Sequence, residues 1–261
     1  MRKIFFVAFA MIMAISGCKA GEQSENRVSA ATDDIVKETR NVGKFSGITL
    51  IGSYKVICTP GKDYGVVVEA TKGAATKLLT EVKNGMLTIS KEKIAGVRVV
   101  TNNREDNKTT IYVTLPQLQD IKLIGSGDII VKGKVASDNG LRVSLSGSGD
   151  IELDEVTANY TKFSLAGSGD VKINNVKGKQ TELQLAGSGD MVVKNVDVDH
   201  ASINLAGSGD MKIAGTTDTY SKIVHGYGKL DDNSLKYNKI EQVMSNRKTG
   251  TVSPNGIEAQ P

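Results

Sequence analysis

The stretch TKFSLAGSGDVKINNVKGKQTELQLAGSGD (residues 161–190) contains two copies of the tetrapeptide that decides the fold. Gly-Ser-Gly-Asp begins at Gly125, Gly147, Gly167, Gly187 and Gly207, at spacings of 22, 20, 20 and 20 residues, and a worn copy, Gly226-Tyr227-Gly228-Lys229, follows nineteen residues later. A fixed period near twenty marks a solenoid, in which each repeat cannot bury its apolar face alone and stacks on its neighbours. Ahead of each corner apolar residues alternate, from Ile121 and Leu123 through Phe163 and Leu165 to Ile203 and Leu205. Behind it they alternate again, from Ile129 and Val131 through Val171 and Ile173 to Met211 and Ile213. Period two on both sides means strands. Val135, Val156, Val176 and Val196 precede a polar stretch where the coil turns again. The reading is an all-β, parallel β-helix-like solenoid of roughly twenty-residue coils, whose equivalent strands pair in parallel about 4.8 Å apart.

The repeat begins before its perfect copies. Phe45, Ile48, Leu50, Gly52 and Val56 match Leu118, Ile121, Leu123, Gly125 and Ile129 at a constant offset of 73. Between them, near residues 65–116, the pattern changes. Val66–Val68, Leu78–Lys83, Met86–Ile89, Val97–Val100 and Ile111–Leu115 are strand-like, Asn84-Gly85 is a strong hairpin turn, and residues 101–108 form a polar loop. This predicts an antiparallel or mixed β section packed on the first coils or continuous with them.

The N-terminus reads as an export signal. Arg2 and Lys3 precede an apolar run from Ile4 to Ile15, too short to span a bilayer. Ile15-Ser16-Gly17-Cys18 resembles the bacterial lipobox, so residues 1–17 are expected to be removed and Cys18 to carry acyl chains that hold the protein on a membrane. Residues 18–40 then read as lipidated Cys and flexible tether, residues 41–245 as the β-helix domain, and residues 246–261 as a disordered tail. The expected place is the cell envelope, by lipid anchor at the outer membrane, with the face undetermined.

Composition bounds the function. Hydrophobic content of 39% is no membrane-embedded body, and 28 Gly with no Trp suits repetitive β structure. The formal charge of +4, or +2 once Arg2 and Lys3 are removed, is too weak to imply nucleic acid. Two His and two Cys leave little material for metal cages or catalytic triads, so no catalytic residue, metal site or cofactor is assigned. Cys58, two residues after Val56 in a strand-like run, reads as buried core filler.

The chain resembles the head GIN domain of putative auto-transporter adhesins, a domain of unknown function common in Bacteroidota envelope lipoproteins. The likeness covers roughly residues 41–240. It rests on Phe45-x-x-Ile48-x-Leu50-x-Gly52, Gly85-x-Leu87-x-Ile89, Leu115-Pro116-x-Leu118 and the serial Gly-Ser-Gly-Asp corners. The resemblance implies a right-handed β-helix-like fold and an adhesin role, and brings no binding or catalytic residues with it.

Three functional readings follow. The leading one is a non-enzymatic envelope protein whose stacked coils present a surface for adhesion, assembly or a glycan or protein ligand. The second is calcium binding along the column Asp128, Asp150, Asp170, Asp190 and Asp210. Carboxylates at coil spacing repel, and a cation would relieve that. Yet the period departs from the calcium-binding glycine-aspartate repeats, and one carboxylate per coil is few where calcium wants six to eight oxygens. Asp held by backbone N–H groups is the preferred account. The third is a polysaccharide-active enzyme, for which no cluster of acids stands out; His200 lies in a polar turn and His225 beside the worn corner. Tyr220, Tyr227 and Tyr237 gather near the last coil and are read as its cap, with oligomerisation through the β-helix ends as the alternative.

Overall fold

A computed structural model of the protein describes residues 34–91 and 108–245. The signal, the lipobox Cys18, most of the tether, the Val97–Val100 strand, all but Lys108 of the polar loop and the tail lie outside these residues. The chain divides into two units, Met1–Thr32 and Asp33–Pro261, and the described residues lie in the second.

The second unit is a β-solenoid of about six turns. Its regular part comprises β8 (Asp120–Gly125), β9 (Asp128–Ser137), β10 (Leu141–Gly147), β11 (Asp150–Gly167), β12 (Val171–Gly187), β13 (Met191–Gly207), β14 (Met211–Gly226) and β15 (Leu230–Ser245). Each of β11 to β14 runs from one corner to the next and pairs in parallel with the equivalent strand of the next coil, Ile151 with Val171 and Phe163 with Leu183. The alternation drawn from the sequence is the burial pattern. Ile151, Leu153, Val156, Phe163 and Leu165 point inward and are at most 1% exposed, and their counterparts one coil on, Val171, Ile173, Val176, Leu183 and Leu185, stack above them.

The uneven first interval has a physical origin. Val131 pairs with Leu153 but Lys134 with Glu155, so one extra residue is taken up in a bulge at Gly133, whose φ is +86° and whose N–H donates to Asp154 Oδ2 at 2.9 Å. A second is taken up at Asp138–Gly140, where the strand breaks and Gly140 adopts φ +88°. Beyond that turn Leu141 faces Thr161, twenty residues on. The nineteen-residue spacing at the far end is the converse, a register slip between Val193 and Val196 against β14.

The predicted opening coil is β2 (Gly47–Gly52) with β3 (Lys55–Pro60), and its offset of 73 is literal: Ile48 pairs with Ile121, Leu50 with Leu123 and Gly52 with Gly125. On its other side lie β6 (Met86–Lys91) against β2 and β7 (Thr110–Leu115) against β3, both parallel, so the middle section supplies one more coil. Antiparallel strands finish that end: β5 (Leu78–Lys83) on β6, β4 (Gly65–Thr71) on β7, and β1 (Ile35–Thr39) on β4. Asn84 (φ +52°) and Gly85 (φ +75°) make the predicted hairpin turn.

Two elements depart from the sequence reading. The domain begins at β1, inside the stretch read as tether to residue 40. This edge strand is ordered by main-chain pairing to β4, the Lys37–Glu69 ion pair at 3.1 Å and Arg40 Nη2 on the Ala75 carbonyl at 2.6 Å, contacts that a polar segment does not advertise. A helix, α1 (Lys72–Lys77), follows β4; Thr71 caps it by accepting the Ala74 N–H at 3.2 Å. Cys58 is fully buried as expected, and burial pushes its thiol up to about 12, which removes thiolate chemistry at neutral pH.

Between the last two described strands, β14 and β15, lies a polar arrangement absent from the sequence reading. Lys222 pairs in register with Ile203, an inward position, and its ammonium meets Asp232 Oδ2 at 2.6 Å. The fully buried Tyr220 donates its hydroxyl to the same oxygen at 2.8 Å and stacks tilted on Tyr237, 5.4 Å between centroids. Of the three tyrosines expected to cap the coil, Tyr220 and Tyr237 do so, while Tyr227 is 83% exposed at the corner. Burial, then the Asp232 carboxylate, push the Tyr220 hydroxyl well above the usual phenol range. A proton held more tightly when folded stabilises fully below the ordinary tyrosine pKa of about 10 and progressively less above it. Above that pH the melting temperature is therefore expected to fall more steeply in the wild type than in Tyr220→Phe, and equal slopes would rule this out.

Candidate functional site

The corner column brings one carboxylate per coil into line along the solenoid. The first glycine of each corner receives two bonds from the coil above. Ser168 and Gly169 N–H both donate to the Gly147 carbonyl at 2.9 and 3.3 Å, and Ser188 and Gly189 do the same to Gly167 at 2.9 and 3.2 Å. The aspartate then continues the ladder with its side chain. Asp170 N–H donates to Asp150 Oδ1 at 3.0 Å, Asp190 N–H to Asp170 Oδ1 at 3.1 Å, Asp210 N–H to Asp190 Oδ1 at 2.9 Å and Lys229 N–H to Asp210 Oδ1 at 2.8 Å. Return bonds tie the same steps, Val171 N–H to the Asp190 carbonyl at 2.9 Å and Met191 N–H to that of Asp210 at 3.0 Å. The carboxylate thus stands in for a backbone carbonyl where the corner interrupts the strand.

All five aspartates predicted from the spacing form one column. Asp128 opens it, in register with Asp150, and its own N–H donates to the Tyr54 carbonyl at 2.9 Å. Backbone N–H groups of the next coil, and not of a local turn, hold the side chains of Asp150, Asp170, Asp190 and Asp210, whereas at Asp128 the Asp150 N–H donates to the Gly127 carbonyl at 3.2 Å. Among the described residues no group of three His, Cys, Asp or Glu side chains converges as a metal cluster. Each oxygen spent on the ladder is one a cation would have to displace. Asp170→Ala is expected to cost about 1 kcal/mol by losing the acceptor, whereas Asp170→Asn keeps it and removes a like charge, leaving stability unchanged or raised. A calcium titration followed by thermal melting checks the alternative: bound calcium raises the melting temperature with the logarithm of its concentration above the dissociation constant, and the ladder account predicts no shift.

Outside the corners, side chains pair between coils. Arg142 meets Asp120 at 3.7 Å, Lys134 meets Glu155 at 3.2 Å, Lys177 meets Asp197 at 3.2 Å and Lys212 meets Asp231 at 3.2 Å. At Glu182 burial pushes the carboxyl up, but bonds from Lys162 at 3.0 Å and the Tyr160 hydroxyl at 2.8 Å outweigh it and hold the group below the usual carboxylate range. Next to this pair, Ser144, Ser164, Gln184 and Asn204 stand in register, beside a second row, Ser146, Ala166, Ala186 and Ala206. Together they line a shallow trough of about 350 Å³. The sequence reading missed this trough, whose one signal is the small residue before each corner, Ser146, Ala166, Ala186 and Ala206. His200 is exposed in register with Gln180, and His225 is half-buried in register with Ala206.

The family model of the putative auto-transporter adhesin, head GIN domain, matches residues 44–174 and 159–252. The chain belongs to this family. Two solved structures share the GIN-domain fold at low identity. A putative lipid binding protein from Parabacteroides distasonis is 19% identical, with 81% of this chain and 98% of that one covered and a TM-score of 0.59. A putative adhesin from Bacteroides fragilis is 16% identical, with the same coverage and a TM-score of 0.61. No curated protein matches the chain. Among the described residues no helix of the GIN domain is long and apolar enough to cross a membrane.

Proposed function

We propose that the protein is a lipid-anchored cell-envelope protein that binds an extended glycan or polypeptide on its coil faces without catalysis, in an adhesive or assembly role. One observation carries the reading: the trough along Ser144, Ser164, Gln184 and Asn204 offers a hydroxyl or amide on each successive coil beside small side chains that leave room for a ligand. A linear polymer meets such a ladder repeatedly, and weak contacts made in series sum to useful avidity. The corner carboxylates, by contrast, are engaged in holding the coils together.

The test is a binding screen of residues 33–261 against envelope glycans and extracellular matrix proteins, with the Gln184→Ala, Asn204→Ala double variant as control. A hit that the double variant loses supports the trough; a flat screen counts against adhesion. The anchor rests on Arg2, Lys3, the apolar run to Ile15 and Cys18. Cys18→Ser is expected to move the protein from the detergent phase to the aqueous phase and to abolish labelling by a palmitate analogue. Unchanged partitioning would remove the lipid from the account.

A further inference from the structure

Among the described residues β15 is the last strand of the solenoid, and no described coil lies above three of its inward positions. Tyr237, Ile240 and Val243 lie in register with Thr217, Tyr220 and Lys222, yet they are 43%, 40% and 53% exposed. Among the described strands β15 pairs with β14 alone, which leaves one edge of a sixteen-residue strand without a neighbour. An edge of this length with apolar side chains along it is one that proteins cover. The Lys222–Asp232 pair beneath is matched within itself, so a covering strand would trap no unpaired charge there.

The order of side chains on the strand identifies what covers it. Counted outward from Ile240, Lys239 corresponds to Glu241, Asn238 to Gln242 and Tyr237 to Val243. A second β15 running antiparallel about a twofold axis through Ile240 would set Lys239 against Glu241, amide against amide and Tyr237 against Val243, each twice, with Ile240 on its own copy. Tyr237, Ile240 and Val243 stand over the inward positions Thr217, Tyr220 and Lys222 in spite of their three-residue spacing, because β15 slips register between Ile240 and Gln242, so the apolar pairs would continue the core. Lys239 and Glu241 already meet at 3.2 Å at the position of the axis. We infer that this end of the solenoid is a homodimer interface, in which two copies stack end to end through antiparallel β15 pairing. The twofold closes the assembly at two copies, unlike a head-to-tail contact, which would propagate.

Sedimentation velocity over a range of concentrations, on the chain carrying Cys18→Ser to remove the acyl group, tests this. The expected result is a monomer–dimer equilibrium. Lys239→Glu, which brings carboxylates together across the axis, is expected to weaken the dimer about tenfold or more. Adding Glu241→Lys to it restores the opposite charges and the dimer, while Ile240→Lys gives monomer. All three sites are exposed, and an unchanged melting profile of the monomer confirms that each variant folds. A wild type that stays monomeric, a dimer indifferent to these substitutions, a double variant no better than Lys239→Glu, or filaments would each overturn the assignment.

Discussion

Gly189→Ala is expected to destabilise the protein by about 4 kcal/mol or more, an exceptional cost for adding one methyl group. The added Cβ would sit 1.8 Å from the Gly169 carbonyl oxygen and 2.8 Å from its carbon, and the obstacle is backbone that cannot rotate away. Nor is the backbone angle at fault, because Gly189 is not in the left-handed region; the close approach of one coil to the next is the whole reason. Relief requires the coils to separate, and separation sacrifices the bonds from Ser188 and Gly189 to Gly167. Gly133 provides the contrast: its φ of +86° strains a side chain, but nothing lies within 4 Å of the added Cβ. Gly133→Ala should therefore cost only about 1–2 kcal/mol. Urea denaturation of the two variants checks the ordering; equal losses would mean that the corners do not stack as described.

Phe163→Ala is expected to cost about 3–5 kcal/mol. Phe163 is fully buried in the column between Val143 and Leu183, and a coil has neighbours only above and below, so little can collapse into the space. Lys172→Ala on the outer face removes an exposed ion pair of 3.5 Å to Asp170 and should lie within about 0.5 kcal/mol of the wild type. A loss below about 1 kcal/mol for Phe163→Ala, measured by the same denaturation, would mean a loosely filled interior.

The parts of the fold legible in the sequence are those where each residue reports its own environment. Alternation places Ile151, Leu153, Phe163 and Leu165 inward because burial requires apolar side chains, and the offset of 73 pairs Gly52 with Gly125 because stacked corners require the same residue in both coils. What stayed hidden depends on partners distant in the chain. The acceptor of the Asp170 N–H lies twenty residues away, so local turn chemistry yields the kind of bond and not its direction. β1 is a strand because β4 offers an edge, and α1, at six residues, is too short to show a period. Lys222 did leave a mark, a cation in the column of Phe163, Leu183 and Ile203, but its meaning needed Asp232 on the following strand. The trough was visible only as four small residues, because a surface spread over several coils has no contiguous motif.

One period is one coil, interchangeable with its neighbours through the Gly-Ser-Gly-Asp corner. Excising residues 168–187 joins Gly167 to Ser188 and removes a single coil, bringing Leu165 and Met191 into the register that Leu165 and Val171 now hold. Thermal unfolding followed by circular dichroism is expected to show a strand-rich, cooperatively melting protein for this deletion, and loss of the cooperative transition for the half-period deletion of residues 168–177. Equal disruption by both deletions would contradict the account.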